Sequence, residues 1–259
     1  MSPGREPKLW KGGQENMKAI VLSAGQGRRL LPLTARKPKC LLEVGDYTLL
    51  ELQLRALARC GVGHATVVVG FGALSVERFI AELSIPEIEV ETLFNPFYLV
   101  SDNLATCWIA RTAMVDEFVL INGDTIFEDR VLQRLLDTPP SPVTIAIDHK
   151  SEYDDDDMKV TIDSNARLLA IGKTLKPERV SGESIGMLRF QASGAARFQA
   201  GLEAAMRYPD TLRAWYLSVV DVMAQEGTVD TASIHTFYWR EIDSKEDLDD
   251  ARNTWPGDS

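Results

Sequence analysis

The stretch MKAIVLSAGQGRRLLPLTARKPKCLL, residues 17–42, joins an apolar run to a loop that carries two glycines, two prolines and five basic side chains. Met17 to Gly25 reads as a buried β-strand, because its apolar residues follow one another without polar alternation. A loop leaving the carboxyl end of such a strand opens where open α/β sheets bind ligands. Gly25 and Gly27 let backbone N–H groups approach an anion without a Cβ in the way. Arg28, Arg29, Arg36, Lys37 and Lys39 supply the positive charge. Guanidinium groups grip phosphate oxygens in pairs and ammonium groups neutralise them as point charges, so a phosphate chain suits this loop. A solvated basic loop with turn glycines is the bland alternative. The density of basic residues and the Pro38-Lys39 ending favour binding. Neither common phosphate signature is present in this loop: no glycine of the loop precedes a Lys-Ser/Thr pair, and Leu30 stands where a dinucleotide fingerprint needs its third glycine.

Outward from this loop, apolar runs alternate with helical patterns. Tyr47–Gly61 reads as an amphipathic helix, His64–Gly72 as a second strand and Ser75–Leu83 as a short helix. Glu87–Asn95 reads as a third strand, Asn103–Met114 as a third helix, and Glu117–Asp124, EFVLINGD, as a fourth strand ending in a glycine turn. Such alternation predicts right-handed parallel crossovers and a doubly wound sheet. The second half changes rhythm. Residues 141–150, 158–173 and 183–190 read as strands and turns, 194–208 and 216–227 as helices, and 231–243 as extended chain. This predicts a mixed-sheet continuation of one domain, residues 17–259, after a polar, Gly- and Pro-rich extension over residues 1–16 taken as flexible.

The chain has 259 residues and a formal net charge of −10, which argues against a nucleic-acid partner. No apolar run is long enough for a membrane span, and residues 1–16 lack a signal-peptide core, so a cytoplasmic location is expected. Three cysteines, odd in number and without metal-ligand spacing, predict neither a disulfide framework nor a zinc site. An acidic protein with one basic loop suits a small anionic ligand held locally.

Two aspartates complete the pattern. Asp124 follows the fourth strand and its Gly123 turn, on the same sheet edge as the basic loop. Asp243, in REIDSKEDLDDAR, stands just before a helix start marked by the Ser244/Asp247 capping-box spacing. Either alone suits a turn or cap. Together with the loop they suit a hard cation such as Mg²⁺, which prefers carboxylate oxygens and bridges them to phosphates.

At this point the chain resembles the nucleotidyltransferases that make nucleoside-diphosphate sugars and CDP-alcohols. Residues 22–45, LSAGQGRRLLPLTARKPKCLLEVG, are similar to that family's signature, and the likeness continues through NGD (122–124) and EID (241–243). The bacterial phosphocholine cytidylyltransferase branch is the nearest likeness. The resemblance implies a Rossmann-like α/β fold, a doubly wound, mixed but mostly parallel sheet in a single nucleotidyltransferase domain. It implies attack of an acceptor phosphate on the α-phosphorus of a nucleoside triphosphate, with release of pyrophosphate. By family position Arg29 would hold the pyrophosphate, Lys39 the α-phosphate or acceptor phosphate, and Asp124 and Asp243 Mg²⁺. Ser23, Ala24, Gly25, Gln26, Gly27, Arg28 and Gly123 would surround the nucleotide.

Asn103, after Ser101 and Asp102, falls where the family reads the base. Its amide offers a donor and an acceptor to cytosine, so CTP is the expected nucleotide. Gly70 would let the base approach. Lys159, Lys173, Glu183 and Gly186 are the expected acceptor contacts, for a small phosphorylated or phosphonate acceptor of phosphocholine type. Tyr153, Trp215 and Tyr216 are candidates for cation–π contact with its head group, and Asp154–Asp156 are read as a solvated charge run. The rival readings are a sugar-1-phosphate nucleotidylyltransferase using UTP, dTTP or GTP, and a non-catalytic nucleotide-sensing subunit. A homo-oligomer is compatible with either.

Overall fold

In the computed structural model, which describes residues 17–257, the apolar run does form the central strand β1 (Lys18–Ser23). The extension over residues 1–16 lies outside the described residues. In chain order there follow the short strands β2 (Glu43–Val44) and β3 (Tyr47–Thr48), then α1 (Leu49–Arg59), β4 (His64–Val69), α2 (Ala73–Glu82) and β5 (Glu89–Phe94). Next come α3 (Asn103–Ala110), β6 (Phe118–Asn122), β7 (Thr125–Phe127), α4 (Asp129–Asp137) and β8 (Val143–Asp148). The second half holds β9 (Lys159–Ile162), β10 (Leu168–Gly172), β11 (Gly182–Phe190), α5 (Ala192–Ala205) and α6 (Leu217–Gln225). The chain closes with β12 (Val229–Ser233), β13 (Trp239–Glu241) and α7 (Lys245–Thr254).

Side-chain alternation along β1 sets the layers. Ala19 and Val21 enter an apolar cluster with Leu50, Leu54 and Leu57 of α1 and Val131, Leu132 and Leu135 of α4. Ile20 enters another with Leu104 of α3, Phe198 of α5 and Val220 of α6. A strand buried on both faces needs this unbroken apolar sequence, and helices cover both sides of the sheet. Helix α1 shows how local chemistry sets its limits. The Thr48 hydroxyl accepts from Glu51 N at 3.1 Å at its start. Gly61, at φ +82°, turns the chain at its end, where Val62 N donates to Leu57 O and Gly61 N to Ala58 O.

The sheet runs β10-β9-β11-β6-β1-β4-β5, with β8 beside β11 and β12 beside β8. Strands β5, β4, β1 and β6 are parallel, while β11 runs antiparallel to β6, β8 and β9. The order reverses at β1, where the chain moves from β4 and β5 on one side to β6 on the other. Such a switch point leaves a crevice at the carboxyl ends of the strands. Strand β11 widens it. Met187–Phe190 pair with β6, whereas Gly182 and Glu183 pair with β9, and the register against β8 shifts between Ser184 and Leu188. Gly186 makes the bend at φ +73°, and a Cβ there would lie 2.4 Å from Asn122 Nδ2. No described helix is long and apolar enough to cross a membrane. The three cysteines are free and buried.

Candidate active site

A third apolar cluster brings the loop and the two aspartates together. Leu30, Leu42 and Val44 pack with Ile126, Ile242, Leu248 and Ala251. Leu30 and Ile242 are each fully buried in it, so their chain neighbours Arg29 and Asp243 are held at its edge, facing each other. Strand β13 pairs antiparallel with β7, setting Glu241 opposite Thr125, and Ile242 N donates to Asp124 O at 3.0 Å. From below, the buried Gln53 amide of α1 donates to Asn122 O (2.8 Å) and Thr125 O (2.7 Å), which fixes the turn carrying Asp124. Gly123 lets this turn lie close to β1, since a Cβ there would stand 2.3 Å from Ser23 Oγ.

Within this frame Lys39 Nζ bonds Asp124 Oδ2 at 2.9 Å and Asp243 Oδ1 at 2.5 Å, and Arg29 pairs with Asp243. Lys39 passes under Gly27, which adopts φ +69°; a Cβ on Gly27 would lie 2.8 Å from Lys39 Cδ. Burial alone would favour a neutral Lys39, but Asp124 and Asp243 outweigh it and hold its pKa above the ordinary value. Burial likewise works against ionised Asp243, and Lys39 and Arg29 overcome it, holding that carboxyl below the ordinary range. Glu241 is the third carboxylate of the group: oxygens of Asp124, Glu241 and Asp243 lie within 4.8 Å of one another. Glu241 is solvent-exposed, and partial loss of hydration, then repulsion by Asp124 and Asp243, holds its carboxyl above the ordinary range. Asp124 Oδ1 is buried and has no hydrogen-bond partner. A set of three close carboxylates with one buried acceptor unpaired fits a hard divalent cation, which takes oxygen ligands.

Two cavities with shared walls flank this group. One, of 300 Å³, is walled by Ser23, Gly25, Gly27, Arg28, Arg29, Lys39 and Gly123. The other, of 450 Å³, occupies the fork between β6 and β11, with Ala24, Gly25, Asn103, Asn122, Lys173, Gly186 and Trp215 on its walls. Arg29, Asp124 and Asp243 border both. Gln26 faces a third hollow on the outer side and ties the loop internally, donating to Thr34 O at 3.3 Å.

Several expected contacts have other positions. Gly70 does not border either cavity: a Cβ there would meet Ala24 O at 2.5 Å, so its room is used to pack the end of β4 against the loop. Lys159 is buried, and its ammonium donates to the carbonyls of Asp154 and Lys173 rather than reaching the cavity. Glu183 is also buried, 3.1 Å from Lys150, and lies behind the wall. Tyr216 is a core residue whose hydroxyl donates to Asn122 Oδ1 at 3.2 Å, so it offers no face to a ligand. The Tyr153 ring lies under Lys150, whose Nζ is 5.8 Å from the ring centroid. Asn103 does border the large cavity, but its Oδ1 already accepts from Tyr216 N at 2.9 Å. Asp102 caps α3, its side chain accepting from Asn103 N. The acidic run is not wholly solvated: Asp156 pairs with Arg29 at 3.1 Å and Lys173 at 3.4 Å. Glu241 and Asn122 stand inside the EID and NGD motifs, where the sequence reading gives these two residues no role, and Asp156 reads there as solvated.

The fold is that of a doubly wound α/β protein with a cleft at the sheet's switch point, and comparison with known proteins gives the family. Residues 18–146 match the nucleotidyl transferase family, and the chain belongs to it. Over 130 residues it is 32% identical to the CMP-5'-(3-aminopropyl)phosphonate synthase of Streptomyces rubellomurinus, covering 50% of this chain and 20% of that protein. Over 113 residues it is 28% identical to the choline-phosphate cytidylyltransferase of Streptococcus pneumoniae, covering 44% and 47%. Over 113 residues it is 31% identical to the bifunctional sugar-1-phosphate nucleotidylyltransferase/acetyltransferase of Sulfurisphaera tokodaii, covering 44% and 26%. The aligned stretches thus cover less than half the length of each of these relatives. Two solved structures share the fold. The CTP:phosphocholine cytidylyltransferase of Streptococcus pneumoniae superposes with a TM-score of 0.75 at 18% identity, over 92% of this chain and 98% of that one. The inositol-1-phosphate CTP transferase of T. maritima gives 0.77 at 19% identity, over 96% and 100%.

Proposed function

We propose that the protein transfers a cytidylyl group from CTP to a small phosphorylated or phosphonate acceptor of phosphocholine type, giving a CDP- or CMP-linked product and pyrophosphate. The observation that carries this reading is the convergence of Arg29 and Lys39 on Asp124 and Asp243 at the sheet's switch point, between the two cavities. Relatives named as cytidylyl- or CMP-transferring enzymes support the choice of base. A relative named for sugar-1-phosphate transfer defines the competing outcome.

In this reading an acceptor oxygen, already ionised at neutral pH, forms a bond to the α-phosphorus as the bond to the bridging oxygen breaks. Pyrophosphate leaves with the electron pair. No proton has to move, so no general base is required, and the barrier is the repulsion of two anions. The loop after β1 contributes backbone N–H groups and Arg29 around the departing phosphates. Lys39 is buried and charged, fixed before the substrates arrive, so it costs no reorganisation when charge shifts onto the leaving group. Asp124, Asp243 and Glu241 would hold a divalent cation, magnesium in this reading, whose charge offsets that of the two substrates. Trp215 and Lys173 form the far wall, where the acceptor would sit. The test is pyrophosphate release with Mg²⁺ across CTP, UTP, dTTP and GTP, each with phosphocholine, aminoethylphosphonate and hexose 1-phosphates. Release restricted to CTP with the amino or choline acceptors is the expected result. Release restricted to hexose phosphates transfers the assignment to the sugar-1-phosphate class, and nucleotide binding without release supports a sensing subunit.

A further inference from the structure

Arg29 and Lys173 both line the large cavity, one on the loop after β1 and the other just past the end of β10. The carboxylate of Asp156 lies between them, 3.1 Å from Arg29 Nη1 and 3.4 Å from Lys173 Nζ. A carboxylate held by a guanidinium and an ammonium makes the contacts a phosphate oxygen pair would make. We propose that Asp156 is a built-in competitor: it occupies an anion seat that a substrate phosphate takes, and it must leave for that phosphate to bind. This deepens the proposed transfer reaction and rests on it for the identity of the natural anion.

Three features of the loop support the idea. Its base is fastened. Lys150 bonds Asp157 (2.7 Å) and Glu183 (3.1 Å), and buried Lys159 donates to the Asp154 and Lys173 carbonyls. The same lysine therefore joins the acidic run to the end of β10, which sets the distance between Asp156 and Lys173. Asp156 itself is free to turn, its side chain 74% exposed and held only by ion pairs at a solvent-facing rim. Such pairs are weak, on the order of a fewfold in equilibrium constant each, so a phosphate dianion can displace the carboxylate. Displacement requires a side-chain rotation and no opening of the loop. Asp155, the adjacent residue of the same charge, has no ion pair among the described residues.

The experiment is titration of the full chain with inorganic phosphate, without nucleotide or metal, by calorimetry. Asp156→Asn and Asp156→Ala are each expected to bind phosphate roughly three- to thirtyfold more tightly than the parent, the combined worth of two such pairs. Asp155→Asn is expected to stay within about twofold of the parent, since it removes the same charge without vacating the seat. Equal or weaker binding by both Asp156 variants overturns the proposal. So does equal tightening by Asp155→Asn, which would reduce the effect to net charge. The readout needs no turnover, so it is independent of the pyrophosphate-release assay that tests the transfer reaction.

Discussion

The ammonium of Lys39 stands 2.9 Å from Oδ2 of Asp124, 85 residues further along the chain. This contact crosses the point where the strand order reverses and joins the loop after β1 to the turn after β6. It makes Lys39 a preplaced charge, so the Lys39→Met variant is expected to lose about 10²–10³ in kcat/KM, roughly 3–4 kcal/mol of transition-state stabilisation. Steady-state kinetics of pyrophosphate release read the loss; a decrease below about threefold would remove Lys39 from the reaction.

Asp124 offers one carboxylate oxygen to Lys39 and keeps the other buried without a partner. Magnesium is therefore expected to raise the melting temperature of the parent by binding the folded state, and to leave Asp124→Asn unchanged. Thermal unfolding with and without Mg²⁺ checks this, and an equal rise in both proteins would place the cation elsewhere.

Burial pushes the Glu183 carboxyl up to about 7, with Lys150 opposing the shift. The folded state therefore holds this proton more tightly than the unfolded chain, whose glutamate has a pKa of about 4.3. The resulting penalty is absent below the unfolded value, grows as pH rises from there to about 7, and is constant beyond. Relative to Glu183→Gln, the parent should thus lose stability between about pH 5 and pH 8. Urea unfolding of both proteins at the two values measures the difference, and a pH-independent offset would contradict the assignment.

Gly186 combines φ +73° with a close approach to Asn122. Gly186→Ala adds a side chain to left-handed backbone and a methyl group 2.4 Å from the Asn122 amide, so something must move. A loss of about 1–3 kcal/mol of stability is expected, read by denaturant unfolding. Parent-like stability would mean that β11 bends without needing glycine there.

The parts of the fold visible in sequence are those specified locally. The apolar run at β1, the glycine-ended helix α1 and the Ser244/Asp247 capping box each announce themselves within a few residues. Arg29, Lys39, Asp124 and Asp243 were legible because they sit in short motifs, the first two in the loop after β1 and the others just past the ends of β6 and β13. What remained hidden depends on long-range register. The pairing of β13 with β7 brings Glu241 to Asp124, and nothing near either residue specifies it. The antiparallel return of β11, and the fork it opens, follow from a bend at Gly186 that reads in sequence as an ordinary glycine. Lys159 and Glu183 share the composition of ligand-binding residues. Burial on neighbouring strands gave the lysine to loop carbonyls and the glutamate to a lysine beneath the wall. Helix α4, with its Leu- and Val-lined inner face, also passed unread between two strands.

The central claim is that an acceptor oxygen bonds to the α-phosphorus of CTP in the cleft bounded by Arg29, Lys39, Asp124 and Asp243. The most direct measurement supplies CTP labelled with ³²P at the α-phosphate together with phosphocholine and Mg²⁺, and follows the label. Label recovered in CDP-choline, with one pyrophosphate released per product, is the result the account predicts. Label that stays in CTP, or that appears only in free CMP whatever acceptor is supplied, would contradict it.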